Sequence, residues 1–323
     1  MTEAVQGTND DAQVSKLSCV QRGYFQDRFL QYFVRKATRR APLINRGYFT
    51  RFSALQQLIQ RFLTVPGQLQ IISLGAGYDT TWFRLMEQGS APAHCFEVDF
   101  PEVTQRKAAI IGAQPELKRV LESSGSISGH SGKGHLHTAR YSLLPGDLRD
   151  VQQVQAALLE AGLQPGQPTL VLAECVLVYM QPAESAALVR QLGSLLTTAA
   201  CLVYEQIRPD DAFGKQMLLN LERRGCPLLG LHATPSLQAH EQRLTANGWS
   251  RATATDLDTV YRHHIDPAEK RRIERLEIFD EFEEWHLIQE HYCITIGIND
   301  ATGILADYGF AQFSTSQVNP PIM

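Results

Sequence analysis

Short apolar runs of strand length recur along this chain, and most are followed by a stretch whose apolar residues stand three and four apart. Runs at 69–74, 93–101, 141–149, 169–180, 200–206 and 291–297 read as strands, the third ending in a turn. Amphipathic stretches at 102–121 and 184–196 read as helices between them. Strand and helix alternating with short connections predict an α/β, doubly wound, mostly parallel sheet covered on both faces. A further helical segment at 208–230 and a late strand at 248–256 follow. Asp266, Pro267 and Glu269 supply the N-cap, first-turn proline and N3 glutamate of another helix, continued by Ile273, Leu276, Phe279 and Phe282.

Ahead of the first strand the pattern changes. Residues 1–14 are polar and acidic and are expected to be disordered. Residues 23–34 are aromatic and apolar on a helical period and read as a helical cap with a basic end at Arg35, Lys36, Arg39 and Arg40. Ala41-Pro42 breaks it. Phe52, Leu55, Leu58, Ile59 and Phe62 then form the apolar face of a new helix. Arg46 and Arg51 fall at its N-terminal edge, off that stripe. A cation there opposes the helix macrodipole, so Arg51 needs an anionic partner. The division expected is an N-terminal arm and helical lid over 1–66, and one compact domain with helical insertions over 67–323.

Candidate chemistry gathers where strands end. The first strand runs into Gly75-Ala76-Gly77, a tight turn of the nucleotide-binding type, in which only glycine tolerates both the dihedrals and a close ligand. Thr80 stands where a dinucleotide fingerprint has its third glycine, which turns the reading from NAD towards S-adenosylmethionine, a nucleoside without phosphates. Roughly 20 residues on, Asp99 closes the second strand where a carboxylate accepts ribose hydroxyls. Glu97 shares its face. Asp147 lies in the turn after the third strand, in reach of an adenine amino group. Glu174 is the one carboxylate inside the most apolar run, where an ionised group is costly unless it is paired or faces a ligand.

Composition narrows the class. Of 323 residues, 44% are hydrophobic and 20% charged, as in ordinary soluble enzymes, and the net charge of −4 gives no global basic field for nucleic acid. Six scattered cysteines without a Cys-x-x-Cys pair read as buried free thiols. No signal-peptide core and no run of membrane length stand out, so the cytosol, with access to the nucleus, is the expected location. The Gly/Ser/His-rich segment 122–137 reads as a loop. Its His135 and His137 lack a third ligand beside them, so no metal is expected.

Several of these stretches together resemble the leucine carboxyl methyltransferases. They are 41–42 with 44–49 and Arg51, 74–77 with 79–81, 96–101, 147–149, 173–180 and 204–206, within roughly residues 16–298. The segment 122–137 and the tail after 299 depart from the pattern without touching a matched motif. The resemblance implies a seven-stranded S-adenosylmethionine-dependent methyltransferase sheet with an N-terminal helical lid. It implies that Gly75 and Gly77 cradle the cofactor's amino-acid part, that Asp99 holds the ribose, and that Asp147 with Leu148 holds the adenine. Glu174 lies beside the cofactor, and Lys16 and Arg51 bring positive charge to the carboxylates. Arg51, Tyr179 and Glu174 are the catalytic candidates. Which of Lys16, Arg46 and Arg51 meets the cofactor's carboxylate and which the acceptor's stays open.

The implied reaction is methylation of the C-terminal leucine α-carboxylate of the protein phosphatase 2A catalytic subunit by a monomeric enzyme, leaving S-adenosylhomocysteine. An α-carboxyl group with a pKa near 3.5 is already ionised, so no general base is required. A sister class acts in tRNA wybutosine synthesis and usually carries a β-propeller, whose repeats this sequence lacks. A cofactor-binding regulator of the phosphatase without turnover is the remaining alternative.

Overall fold

The computed structural model describes residues 2–311. Helices α1 (Thr2–Gln21) and α2 (Pro42–Phe62) precede strand β1 (Gln70–Leu74), helix α3 (Thr81–Glu87) and strand β2 (His94–Asp99). Next come α4 (Pro101–Ala113), α5 (Pro115–Ser123), the short β3 (Leu136–His137), β4 (Tyr141–Pro145), α6 (Val151–Glu160) and β5 (Thr169–Glu174). The chain continues through α7 (Pro182–Leu195), β6 (Thr198–Gln206), α8 (Ala212–Arg223), α9 (Leu237–Thr245), β7 (Arg251–Asp256) and α10 (Leu257–His264). Helices α11 (Pro267–Ile273) and α12 (Phe282–Glu290) lead to β8 (Tyr292–Asp300).

The strands form one sheet in the order β3-β4-β2-β1-β5-β6-β8-β7. Pairs from β4 to β6 are parallel, whereas β8 runs antiparallel to β6 and β7. The expected doubly wound sheet is present with an eighth strand. The addition, β3, comes from the segment 122–137 expected to be a loop, where Leu136 and His137 pair antiparallel with β4. Every residue of β1 and β6 is buried, because helices cover both faces. After β1 the chain builds first towards β2 and β4, then crosses to β5 and β6. That reversal opens a crevice at the carboxyl ends of β1 and β5.

Five expectations about the helical segments need correction. Residues 1–14 are helical within α1, held by tertiary partners instead of an apolar stripe. Asn9 Oδ1 accepts from the Tyr78 N–H (3.0 Å), Asp11 pairs with Arg224, and the Ser18 hydroxyl donates to Asn45 (2.8 Å). Residues 23–34 form no continuous helix, only a 3-10 turn at Leu30–Phe33. Gly23 has φ +82°, and the Asp27 carboxylate caps the N–H groups of Phe29 and Leu30. Pro42 is the first residue of α2 and not a break before it, so Arg51 lies in mid-helix and the macrodipole argument does not apply to it. The helix begun at Pro267 ends at Ile273, and Phe282 opens a separate helix. The predicted helix 102–121 is likewise two helices, parted at Pro115.

Candidate active site

At the crevice lies a cavity of about 360 Å³. Its floor is the turn after β1. Gly75 and Gly77 hold φ of +57° and +53°. A Cβ on Gly75 would lie 2.7 Å from Val176 Cγ2, and one on Gly77 would lie 2.4 Å from Asn9 Oδ1. Both positions therefore require glycine twice over, by dihedral and by space. Asp99 borders the same cavity and braces the turn: Oδ2 accepts from the Gly77 N–H (2.6 Å) and Oδ1 from the Phe100 N–H (2.7 Å). Burial pushes its carboxyl above the ordinary value, and those two donors offset only part of the rise. Asp147 and Leu148 line the wall, with the Arg149 Nε donating to both Asp147 oxygens at 2.9 and 3.0 Å. That hydrogen bonding holds the Asp147 carboxyl below its ordinary value.

Across the cavity, Glu174 at the end of β5 meets two cations. Arg51 from α2 donates through its Nε, and the Lys16 Nζ from α1 lies 3.5 Å away. Burial alone would raise the carboxyl, but the two cations outweigh it and depress it to about 2. The Arg51 guanidinium also sits 4.5 Å over the Tyr204 ring and 5.4 Å over Tyr48. Among the described residues only its Nε has a hydrogen-bond partner, which leaves the two terminal nitrogens as donors. Tyr179 borders the cavity from the 3-10 turn Leu177–Tyr179.

A sequence model described as Leucine carboxyl methyltransferase matches residues 4–193. The chain is 49% identical to the Leucine carboxyl methyltransferase 1 homolog of Arabidopsis thaliana, over 96% of this chain and 93% of that protein. The chain belongs to the leucine carboxyl methyltransferase family. It is also 42% identical to the human tRNA wybutosine-synthesizing protein 4, over 90% of this chain and 43% of that protein. A solved protein from Thermobifida fusca assigned as a methyltransferase shares the fold, with a TM-score of 0.52, 12% identity, and 90% and 94% of the two chains covered.

For a leucine carboxyl methyltransferase the cofactor is S-adenosylmethionine, and the cavity fits it. The paired glycine turn, Asp99 and Asp147 supply a nucleoside-sized cradle, and Lys16 with Arg51 supplies cations for a carboxylate. Of the residues singled out from sequence, Lys16, Arg51, Gly75, Gly77, Asp99, Asp147, Leu148, Glu174 and Tyr179 all line this one cavity. Arg46 does not. It is buried in α2 with its guanidinium 3.9 Å over the Phe279 ring, so the choice of carboxylate-binding cation narrows to Lys16 and Arg51. Glu97 is also elsewhere, sealed with Lys107 and the Tyr141 hydroxyl (2.7 Å).

Other residues of the site carried no chemical signal in the sequence. Cys175 follows Glu174 with φ +57°, a conformation costing a non-glycine residue about 1–3 kcal/mol, and its N–H donates to the Tyr204 carbonyl (2.8 Å). Glu205, buried in β6, accepts from the Val178 N–H (2.7 Å) and from Arg243 (2.8 Å), fixing the turn that presents Tyr179. Asn9, in the segment expected to be disordered, covers the glycine turn. A polar, acidic run such as 1–14 gave no sign of this contact.

Proposed function

We propose that this methyltransferase esterifies the C-terminal leucine α-carboxylate of the protein phosphatase 2A catalytic subunit. The observation that carries the reading is Arg51: one nitrogen is held by Glu174, and the other two are left for a carboxylate at the cavity. Glu174 fixes the guanidinium plane, and bidentate contact then fixes the plane of an acceptor carboxylate. Lys16 adds charge for the second carboxylate, that of the cofactor's methionine part.

The cofactor supplies a methyl carbon on a positively charged sulfur. Transfer of that methyl would join it to the acceptor carboxylate oxygen while the sulfur kept the C–S electron pair, so the carboxylate and sulfonium charges would cancel together. No proton moves, so the chain needs no general base. Its task is alignment and exclusion of water, and positioning of this kind lowers a barrier by roughly 7–11 kcal/mol. Because the acceptor loses charge in the transition state, a clamp that only stabilised the anion would slow the step. Arg51 therefore orients, and the Tyr48 and Tyr204 rings give it a walled, partly apolar setting.

A second reading, carboxyl methylation in the tRNA wybutosine pathway, is supported by the 42% identity to tRNA wybutosine-synthesizing protein 4, of which this chain spans 43%. One experiment separates the two. Labelled methyl from S-adenosylmethionine is offered to purified phosphatase 2A catalytic subunit, to the same subunit lacking its terminal leucine, and to wybutosine-precursor tRNA. The expected result is alkali-labile label on the intact subunit alone. Label on the tRNA alone would replace this reading with the second. No label anywhere, with cofactor bound, would point to a regulator without turnover.

A further inference from the structure

Two buried acceptor atoms among the described residues of the cavity have no partner: Oε1 of Gln13 and Oε1 of Gln206. Both side chains are only 4% exposed, so water does not satisfy them freely, and an orphaned buried acceptor costs about 1–3 kcal/mol. Their surroundings differ. Gln13 stands on α1 one turn after Asn9 and donates to it (3.4 Å), on the side of the glycine turn. Gln206 closes β6, opposite Tyr292 in the register of β8. It lies two residues after Tyr204, the ring beneath Arg51.

We infer that Gln206 is a specificity residue that accepts a hydrogen bond from the last peptide N–H of the acceptor chain, so that the site reads a peptide terminus and not a bare carboxylate. The inference rests on the acceptor proposed above. Residues two apart on a strand share a face and stand about 7 Å apart, so Gln206 extends the Arg51–Tyr204 side of the cavity by one such step. In a terminal residue the carboxyl carbon and the amide nitrogen are about 2.5 Å apart. One hydrogen bond of about 2.9 Å at each end brings the span to roughly 8 Å, about one such step. A carboxylate held by Arg51 therefore places the adjacent amide within reach of Gln206. A neutral acceptor suits this position, because a carboxylate there would compete with the acceptor for Arg51. Tyr292 faces the Gln206 side chain and stacks on Tyr204 with centroids 5.4 Å apart, which fixes where the carboxamide can lie.

The test uses phosphatase catalytic subunit made by ligation in two forms: native, and with an ester oxygen replacing the nitrogen of its last peptide bond. Each is methylated by the full-length wild-type enzyme and by Gln206→Met, which keeps the length and apolar stem but lacks the acceptor. Wild type is expected to prefer the native form about tenfold in kcat/KM. Gln206→Met is expected to treat the two alike within about twofold, with cofactor affinity unchanged and a melting temperature equal to or above that of wild type. Equal handling by wild type, or a preference that survives in Gln206→Met, would overturn the assignment. If Gln206→Met does not fold, the wild-type preference decides it alone. Failure of wild type to label either form, while binding cofactor normally, would instead sink the acceptor reading, and this assignment with it.

Discussion

Two carboxylates on the same sheet each meet a lysine, one sealed from water and one half-buried at a cavity, yet they do opposite things. Glu97 in β2 is enclosed with Lys107, whose ammonium also donates to the Asp79 carbonyl (2.8 Å), and with the Tyr141 hydroxyl. Each of these side chains is sealed from water and has its partners inside the cluster, with none facing a cavity. Glu174 in β5 meets two cations, Lys16 and Arg51, whose remaining donors face a cavity. At Glu97 burial outweighs one cation and pushes the carboxyl up, whereas at Glu174 two cations outweigh burial. A closed cluster holds structure together, and an open one holds a ligand. The lesson is that the donors left over, and not burial or charge as such, separate a site from a strut.

The largest effect expected from breaking this comparison is at the strut. Lys107→Met leaves a buried carboxylate without its cation and should lower unfolding free energy by about 3–5 kcal/mol, read as a shift in the urea midpoint. Adding Glu97→Leu should recover most of that loss. If the single variant unfolds like wild type, the sealed cluster is not structural. Next is the turn: Gly75→Ala drives a Cβ to 2.7 Å from Val176 at φ +57°, and calorimetry should show cofactor affinity reduced more than tenfold. Unchanged affinity would mean that the cradle adapts.

A smaller effect is expected from Glu174→Gln, which keeps the shape but frees Arg51 and Lys16. Methyl transfer should fall about tenfold, with a melting temperature close to wild type because the cavity lets water reach both cations. A large loss of stability there would class Glu174 with Glu97. The smallest concerns pH. Burial, reinforced by His137, lowers His94 from 6.5 to about 4, so the native state binds fewer protons than the unfolded chain in that window. Stability from this group is fully present above pH 6.5 and is lost as pH falls towards 4. The Glu174 carboxyl, depressed from 4.5 to about 2, adds its loss only below about 4.5. Buried His240, lowered to about 3, titrates over the same upper window, so His94→Gln should reduce the upper slope by His94's share and leave the lower one, and identical slopes would remove His94 from the account.

The core of this architecture was readable because its strands are short apolar runs and its turn needs glycine. Asp99 stood out by its place at the end of the second strand past the glycine turn, and Glu174 because an ionised carboxylate is costly inside an apolar run. The helical segment ahead of β1 was harder. Helix α1 has almost no apolar stripe, so its order depends on partners such as Tyr78 and Arg224 that no local pattern reveals. Arg46 and Arg51 looked equivalent in sequence. What separates them is the rotation of α2, which turns one towards Phe279 and the other towards Glu174. Likewise Glu205 acts through the Val178 N–H, a contact across 27 residues that spacing cannot show.

Arg51→Lys bears most directly on the central claim, that the free nitrogens of Arg51 orient the reacting carboxylate. Lysine keeps the charge but cannot hold Glu174 and a carboxylate in one plane. Transfer of labelled methyl to the phosphatase catalytic subunit should fall well over tenfold, with the melting temperature unchanged. Turnover near wild type in a folded Arg51→Lys enzyme would contradict the account and remove Arg51 from the site.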